Sequence, residues 1–196
     1  MNIAEAAAPI AVLVLSAVWL GIGFVTGWAG HRLPLGFVSR DTWLTNPRQF
    51  EHGGRFYERR LRIRNWKDSL PEAGALFRGG FAKDRLADRS SENLERFVAE
   101  TRRAEYVHWA NVLAGPAFLL VLPLWGGIVM TVFALVVHVP FVAIQRYNRI
   151  RLRRTINSRR RNHARRRQAV VLSADSPRKT PPTSPRSRRS PTPRPT

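Results

Sequence analysis

The chain has 196 residues and a formal net charge of +20, with 33 lysine and arginine residues against 13 aspartate and glutamate residues. Residues 146–196 hold 17 of the basic residues and a single acidic one, Asp175, so the positive charge is concentrated at one end. This distribution disfavours a single compact soluble globule. The sequence has no cysteine, which excludes disulfide bonds, thiolate metal sites and a catalytic thiol.

The first apolar block covers residues 6–30, which contain no charged side chain. As a helix rising about 1.5 Å per residue, this block is longer than the roughly 30 Å hydrocarbon core of a bilayer. We therefore predict a transmembrane helix at about 7–29. A cleaved signal peptide is the alternative, but it would require positive charge before the apolar run, and the one charged residue there is Glu5.

The second apolar block, residues 106–145, runs for 40 residues without Asp, Glu, Lys or Arg, about twice the length that one crossing needs. A Pro and Gly-Gly turn at 122–127 predicts that the block folds back as a helical hairpin. The predicted legs are residues 107–122 and 128–145. Pro116 and Pro140 are expected to interrupt these short legs, so a hairpin that dips into the bilayer without crossing it is the alternative.

Arginines flank each predicted span on one side. They are Arg32 after the first span, Arg102 and Arg103 before the hairpin, and Arg146, Arg149 and Arg151 after it. Because basic flanks stay in the cytoplasm, the N-terminus should lie outside, and residues 31–105 and the C-terminal tail inside. The expected fold class is an all-α, multi-pass protein of the cell membrane, with three transmembrane helices and a cytoplasmic interfacial segment at 31–105.

The interfacial segment mixes charges with enough apolar side chains to pack or to lie on the bilayer. Residues 55–67 fit either a short strand or a basic amphipathic helix, and the periodicity does not decide between them. Residues 91–105 predict a helix that leads into the hairpin, with Ser91 as its N-cap.

The tail, residues 156–196, is rich in Arg, Pro, Ser and Thr and cannot bury enough apolar area to fold. We predict that it is disordered, which leaves residues 1–155 as the membrane domain. Its basic charge favours electrostatic contact with anionic lipids over binding to nucleic acid.

A first candidate site lies where the predicted helix meets the membrane. Glu105 and His108 are three residues apart, so their side chains are neighbours on a helix, and a carboxylate can fix the tautomer of an imidazole and raise its basicity. This pair predicts a general base with its orienting acid. The alternative is an ordinary interfacial helix end, at which His108 and Trp109 lie at the level of the lipid headgroups.

A second candidate site is the polar run 145–149 at the cytoplasmic end of the last span. Arg146 and Arg149 could bind phosphates and Asn148 could donate to an oxyanion, although an ordinary positive flank has the same composition. His138, deep in the last span, is expected to be a packing residue. The sequence lacks the signature motifs of serine hydrolases, zincins and P-loop nucleotide enzymes.

Residues 10–155 resemble the glycosyl-diaponeurosporenoate acyltransferases, the last-step enzymes of staphyloxanthin-type carotenoid biosynthesis. The strings that carry the resemblance are Asn46-Pro47-Arg48-Gln49-Phe50-Glu51, Trp66-Lys67-Asp68-Ser69-Leu70-Pro71, Gly80-Phe81-Ala82-Lys83, Glu100-Thr101-Arg102-Arg103-Ala104-Glu105 with His108, and Gln145-Arg146-Tyr147-Asn148-Arg149. Two positions depart from the family pattern, because Arg103 stands where the family has Cys and His138 where it has Asn.

The resemblance implies a membrane acyltransferase that moves a fatty acyl group from an acyl thioester, acyl-CoA, to a sugar hydroxyl of a carotenoid glycoside or another glycolipid. With no Cys or activated Ser to hold the acyl group, direct transfer is expected, with His108 and Glu105 as catalytic residues and neither a cofactor nor a metal. The expected substrate-binding residues are Trp66, Lys67, Arg102, Gln145, Arg146, Asn148 and Arg149. A non-enzymatic membrane adaptor, whose basic tail binds lipid, nucleic acid or a protein partner, is the alternative.

Overall fold

A computed structural model describes residues 3–69 and 90–175 of the chain. Throughout that part, every regular element is helical, which confirms the predicted all-α class. The α-helices are α1 (Ile3–Arg32), α2 (Leu35–Val38), α3 (Arg55–Arg59), α4 (Ser91–Ala117) and α5 (Leu124–Asp175). Short 3₁₀ helices lie at Gln49–Gly54, Ile63–Asn65, Lys67–Ser69 and Phe118–Leu120.

Two of these helices are long and apolar enough to cross a membrane, over Pro9–Arg32 in α1 and Leu124–Leu172 in α5. On α1, large apolar side chains face outward; Leu13 is 69 % exposed and Leu20 is 76 % exposed. Burial in lipid would remove this apolar surface from water, which supports membrane association. The remaining predicted span, residues 107–122, falls partly on α4, which carries charged side chains as far as Glu105, so the count of three spans stays a prediction.

The predicted hairpin turn is displaced towards the N-terminus. Helix α4 ends at Ala117, a 3₁₀ turn follows at Phe118–Leu120, and α5 begins at Leu124, so Gly126 and Gly127 lie inside α5. A Cβ atom on Gly127 would lie 2.8 Å from the Cα atom of Leu119. The glycine is therefore needed for close approach of α5 to the preceding turn and not for the turn itself.

The predicted interruptions at Pro116 and Pro140 are wrong, because both prolines lie within helices, α4 and α5 respectively. Pro116 is next to the last residue of α4, so the loss of its N–H group affects hydrogen bonding only in the final turn of that helix. For Pro140, proline is tolerated inside membrane-embedded helices when neighbouring helices and side chains compensate for the lost hydrogen bond.

Residues 35–69 of the interfacial segment fold into short helical turns, so the strand alternative for 55–67 is excluded. A buried apolar cluster joins this segment to α5. It comprises Tyr57, Ile63, Ile144, Tyr147 and Ile150, with Trp66 packed against it. The predicted N-cap of α4 is wrong by one residue, because the side chain of Ser90 accepts the hydrogen bond from the Asn93 amide at 3.2 Å and Ser91 is the first helical residue. Residues 70–89, which include the Gly80–Lys83 string, lie outside the described residues.

The prediction that disorder begins at residue 156 is wrong for residues 156–175, because α5 continues to Asp175. Residues 176–196 lie outside the described part of the chain. Contacts divide the chain into two units, Met1–Ser158 and Arg159–Thr196. In the second unit, residues 159–172 are a helical segment with arginine on all sides and mostly exposed side chains.

Candidate active site

Three segments of the first unit contribute charged side chains to one cluster, here called the arginine–carboxylate network, in which all members but Asp41 and Arg153 are buried. Its members are Asp41, Glu51, Arg102, Glu105, Arg146, Arg149 and Arg153. Glu105 on α4 is fully buried and accepts hydrogen bonds from Arg146 Nε at 2.7 Å and from Arg149 Nη2 at 2.6 Å. Two guanidinium groups from successive turns of α5 therefore share one carboxylate, and the pairing fixes α4 against α5.

The Glu51 carboxylate forms a second ion pair with the Arg146 guanidinium group. Its Oε1 atom accepts hydrogen bonds from Arg146 Nη1 at 2.6 Å and from the Tyr57 hydroxyl at 2.7 Å. The Arg48 amide donates to Glu51 Oε2 at 3.0 Å. Burial, together with the hydrogen bond and charge of Glu51, raises the pKa of Tyr57, so its hydroxyl remains a donor. Arg146 Nη2 also donates to the backbone carbonyl of Leu44.

Asp41 forms the outer edge of the network. It accepts a hydrogen bond from Arg102 Nε at 3.0 Å and another from Arg153, while Arg102 Nη1 donates to the Val38 carbonyl at 3.1 Å. Burial alone would raise the pKa of Asp41, but the hydrogen bonds and charges of Arg153 and Arg102 outweigh burial and lower it. The carboxylate is therefore ionised at neutral pH and keeps Arg102 at its position on α4.

The network has four guanidinium groups and three carboxylates, so it holds more positive than negative charge. Arg149 is 1 % exposed, and its Nη2 atom donates to the Thr45 carbonyl at 2.9 Å as well as to Glu105. Its Nε and Nη1 atoms are buried and have no hydrogen-bond partner among the described residues. A buried donor without an acceptor is costly, so this guanidinium favours an additional anion or oxygen acceptor.

Farther along the same helices, two histidines meet. The Nδ1 atoms of His108 on α4 and His138 on α5 are 3.3 Å apart, and the His108 ring stacks on Phe141 with centroids 4.8 Å apart. Asn111, one turn beyond His108, donates to Thr26 Oγ1 on α1 at 3.0 Å, and its own Oδ1 atom is buried without a partner among the described residues. Polar groups of this kind in an apolar helical region mark a functional site more often than a structural one.

The predicted hydrogen bond between Glu105 and His108 is absent from the described part of the structure. The Glu105 carboxylate is bound by Arg146 and Arg149, with the Trp109 indole N–H also 3.4 Å from Oε1. Charge-assisted hydrogen bonds from guanidinium groups are stronger than a hydrogen bond from a neutral imidazole. The arginines, and not His108, therefore bind the carboxylate. Neighbouring positions on one helix brought the two residues close without pairing them.

The predicted binding residues differ in the contacts that their side chains make. Arg102, Arg146 and Arg149 belong to the network, whereas Gln145 and Asn148 make no side-chain hydrogen bond within the described residues. Trp66 packs against the Tyr57 cluster and donates from Nε1 to the Leu61 carbonyl at 2.8 Å. Lys67 forms an ion pair with Asp68 at 2.5 Å. Within residues 3–69 and 90–175, no group of three or more acidic or histidine side chains is arranged to hold a metal ion.

Five contributors to the site were not predicted as site residues from the sequence: Asp41, Glu51, Tyr57, His138 and Arg153. Glu51 ends one of the strings that carry the family resemblance, and this was the available signal for it. His138 carried a signal as well, because an ionisable side chain inside an apolar span is unusual, but it was interpreted as packing. For Asp41 and Tyr57 the sequence offers no comparable signal.

Comparison with known proteins identifies the family. The model of the glycosyl-4,4'-diaponeurosporenoate acyltransferase family matches residues 40–158. The chain belongs to this family. Three relatives bear the same name in Staphylococcus aureus: strain bovine RF122 / ET3-1 at 27 % identity, strain MRSA252 at 26 % and strain USA300 at 25 %. Each alignment covers 143 residues, 70 % of this chain and 82 % of the relative.

Membership of the glycosyl-4,4'-diaponeurosporenoate acyltransferase family confirms the resemblance and the predicted acyltransferase activity. The matched region begins at residue 40 and so contains the whole arginine–carboxylate network and both histidines. It ends at residue 158, where the first unit of the chain also ends. No solved structure matches the chain.

Proposed function

We propose that this acyltransferase moves a fatty acyl group from an acyl thioester, acyl-CoA, to a sugar hydroxyl of a carotenoid glycoside. The printed name of its relatives supplies the class of acceptor, a glycosylated diaponeurosporenoate. Exposed apolar surface on α1 and α5 suits an acceptor and an acyl chain that are both dissolved in the bilayer. The reaction would take place at the cytoplasmic surface of the cell membrane, to which the donor has access.

The observation that carries this proposal is the adjacency of a histidine pair and a positively charged network along α4 and α5. His108 is three residues from Glu105, about 4.5 Å along the helix axis, and His138 is eight residues from Arg146, about 12 Å along α5. Acyl transfer needs a base for the acceptor hydroxyl and positive charge for the thioester oxygen. Both lie at one helix interface.

In the proposed reaction, His108 removes the proton from the sugar hydroxyl as the oxygen attacks the thioester carbonyl carbon. The carbon–sulfur bond then breaks, and the departing thiolate takes the proton back from the imidazolium, so that thiol and ester are the products. Arg149, with its unpartnered Nε and Nη1 atoms, would bind the oxyanion or a phosphate of the donor. Glu105 would act by holding Arg146 and Arg149 in place.

The remaining predicted binding residues fit supporting roles in the same reaction. Gln145 and Asn148 lie in the run that contains Arg146 and Arg149 and have side chains available to bind the donor. Arg102 would contribute positive charge next to Arg149. Trp66 packs against the Tyr57 cluster, and Lys67 follows it in the sequence. Both would bind the polar part of a substrate at the membrane surface.

The test is transfer of a labelled acyl group from acyl-CoA to a carotenoid glycoside in membranes that contain the His108→Ala protein. If His108 is the general base, the rate should fall by about 10²- to 10⁴-fold at unchanged protein level. His163→Ala is the matched control, because this exposed histidine lies on α5 outside the matched family region. Turnover of His108→Ala close to that of the control would refute the mechanism. Failure of the unmodified protein to use acyl-CoA would refute the proposal that acyl-CoA is the acyl donor.

A further inference from the structure

The contact between His108 and His138 assigns a role to a residue outside the predicted site. We propose that His138 is a positioning residue that holds His108 in the one neutral tautomer able to act as a base. This inference rests on the proposed function of His108. Its structural basis is the 3.3 Å separation of the two Nδ1 atoms, which joins α4 to α5 across 30 positions of sequence.

The number of protons in this contact restricts the tautomers that the two imidazole rings can adopt. A hydrogen bond between two Nδ1 atoms contains one proton, so one ring donates and the other accepts. If His108 donates, its Nε2 atom carries a lone pair and can take a proton from a hydroxyl, while His138 has its own proton on Nε2. If His138 donates, His108 has its proton on Nε2 and cannot act as a base. Catalysis by His108 therefore requires His138 as the acceptor.

The residues around His108 leave His138 as the group that can accept a hydrogen bond from its Nδ1 atom. Glu105, the nearest carboxylate along α4, is bound by Arg146 and Arg149 instead of the ring. Phe141 stacks on His108 with only 11° between the ring planes, which limits rotation of the imidazole. Within the described residues the Nε2 atom of His108 has no hydrogen-bond partner, so it remains available to a substrate. The imidazolium formed during transfer would keep its Nδ1–H bond to neutral His138.

The decisive comparison uses two substitutions at His138 with opposite abilities to accept a hydrogen bond. His138→Leu fills similar space without an acceptor and should lower kcat with little change in KM for either substrate. We expect a loss of about 10- to 100-fold, the range found for partners that orient metal-bound imidazoles. His138→Asn offers an amide oxygen and should restore most of the lost kcat. Val136→Leu, on the exposed side of the same helix, is the matched control and should have normal turnover.

A second readout does not depend on activity. In protein labelled with ¹⁵N-histidine, the His108 signals, assigned by their loss in His108→Ala, should indicate a proton on Nδ1. In His138→Leu they should change to a mixture of the two neutral tautomers. Normal turnover in His138→Leu, an equal loss in the Asn and Leu variants, or an unchanged tautomer would each overturn the inference.

The outcomes for this inference and for the proposed function remain distinct. If His108→Ala is inactive but His138→Leu has normal turnover, the general base stands and the role of His138 is refuted. If His108→Ala is fully active, the mechanism itself is refuted, whatever the spectra of the two histidines show.

Discussion

The Glu105 carboxylate is fully buried and accepts hydrogen bonds from Arg146 and Arg149. In Glu105→Ala these two guanidinium groups would remain buried with one fewer counter-ion. Removal of one partner from a buried ion pair typically costs about 3–5 kcal/mol, because the remaining charge is left without compensation. We therefore expect a loss of that size in the free energy of unfolding, measured by denaturant titration in detergent.

Glu92→Gln is the control for this prediction. Glu92 lies in the first turn of the same helix and is exposed, so its substitution should change the free energy of unfolding by no more than about 0.5 kcal/mol. A Glu105→Ala protein as stable as Glu92→Gln would mean that the arginine–carboxylate network does not stabilise the fold.

At the scale of the elements, α4 and α5 approach closely at Gly115. A Cβ atom built there would lie 2.8 Å from the Ala134 Cβ atom and 3.1 Å from the Thr131 Cα atom, so Gly115→Ala must push the helices apart. Overpacking of this kind costs about 1–3 kcal/mol. We expect a lower midpoint of thermal unfolding in detergent and reduced acyl transfer, because His108 and His138 face each other across the same pair of helices.

Gly21→Ala provides the comparison, since nothing lies within 4 Å of a Cβ atom at that position of α1. Alanine is also the better helix former, so this change should not lower the midpoint. Equal effects of the two substitutions would show that glycine loss in general, and not the contact at Gly115, is responsible.

The elements themselves were largely predictable from the sequence, whereas their ends and their contacts were not. Hydropathy identified α1 and the hairpin because uncharged runs of this length have few alternatives. The end of α5 was missed because composition was used alone for residues 156–175. Arginine is a good helix former, no proline occurs between Pro140 and Pro177, and a helix that is already nucleated extends at little cost.

The same limit applies to the candidate site. Spacing on one helix predicted that Glu105 and His108 are neighbours, and the basic run predicted Arg146 and Arg149 as a group. Pairing of Glu105 with the arginines, and of His108 with His138, depends on how α4 lies against α5, which no local spacing encodes. Glu51 is 95 positions from Arg146, its main partner, so the network could be recognised only in three dimensions.

At the scale of the whole molecule, the matched family region and the first unit both end at residue 158, so acyl transfer should not need the second unit. A chain that stops after Ser158 should keep at least half of the turnover of the full chain at equal protein level in membranes. Its association with vesicles of anionic lipid should weaken, because residues 159–172 carry six arginines. Loss of acyl transfer on truncation would place a required element in residues 159–196.

The number of spans can be tested directly because the chain has no cysteine of its own. Three single-cysteine variants, Glu5→Cys, Trp125→Cys and His163→Cys, probe the N-terminus, the tip of the hairpin and the basic helix with a maleimide that does not cross membranes. Trp125 and His163 are exposed, so their labelling should depend on topology and not on burial. With three spans, Glu5→Cys and Trp125→Cys react in intact cells, because the hairpin tip then reaches the outer surface.

His163→Cys should react only after the membrane is permeabilised, because the flanking arginines predict a cytoplasmic location for the basic helix. Each variant must retain acyl transfer, which shows that the labelled protein is folded. If Trp125→Cys reacts only after permeabilisation, or not at all, the hairpin dips into the bilayer without crossing it, and the chain has one complete span. Reaction of His163→Cys in intact cells would show that the orientation is the reverse of the predicted one. The site would then be separated from cytoplasmic acyl-CoA, which would also contradict the proposed donor.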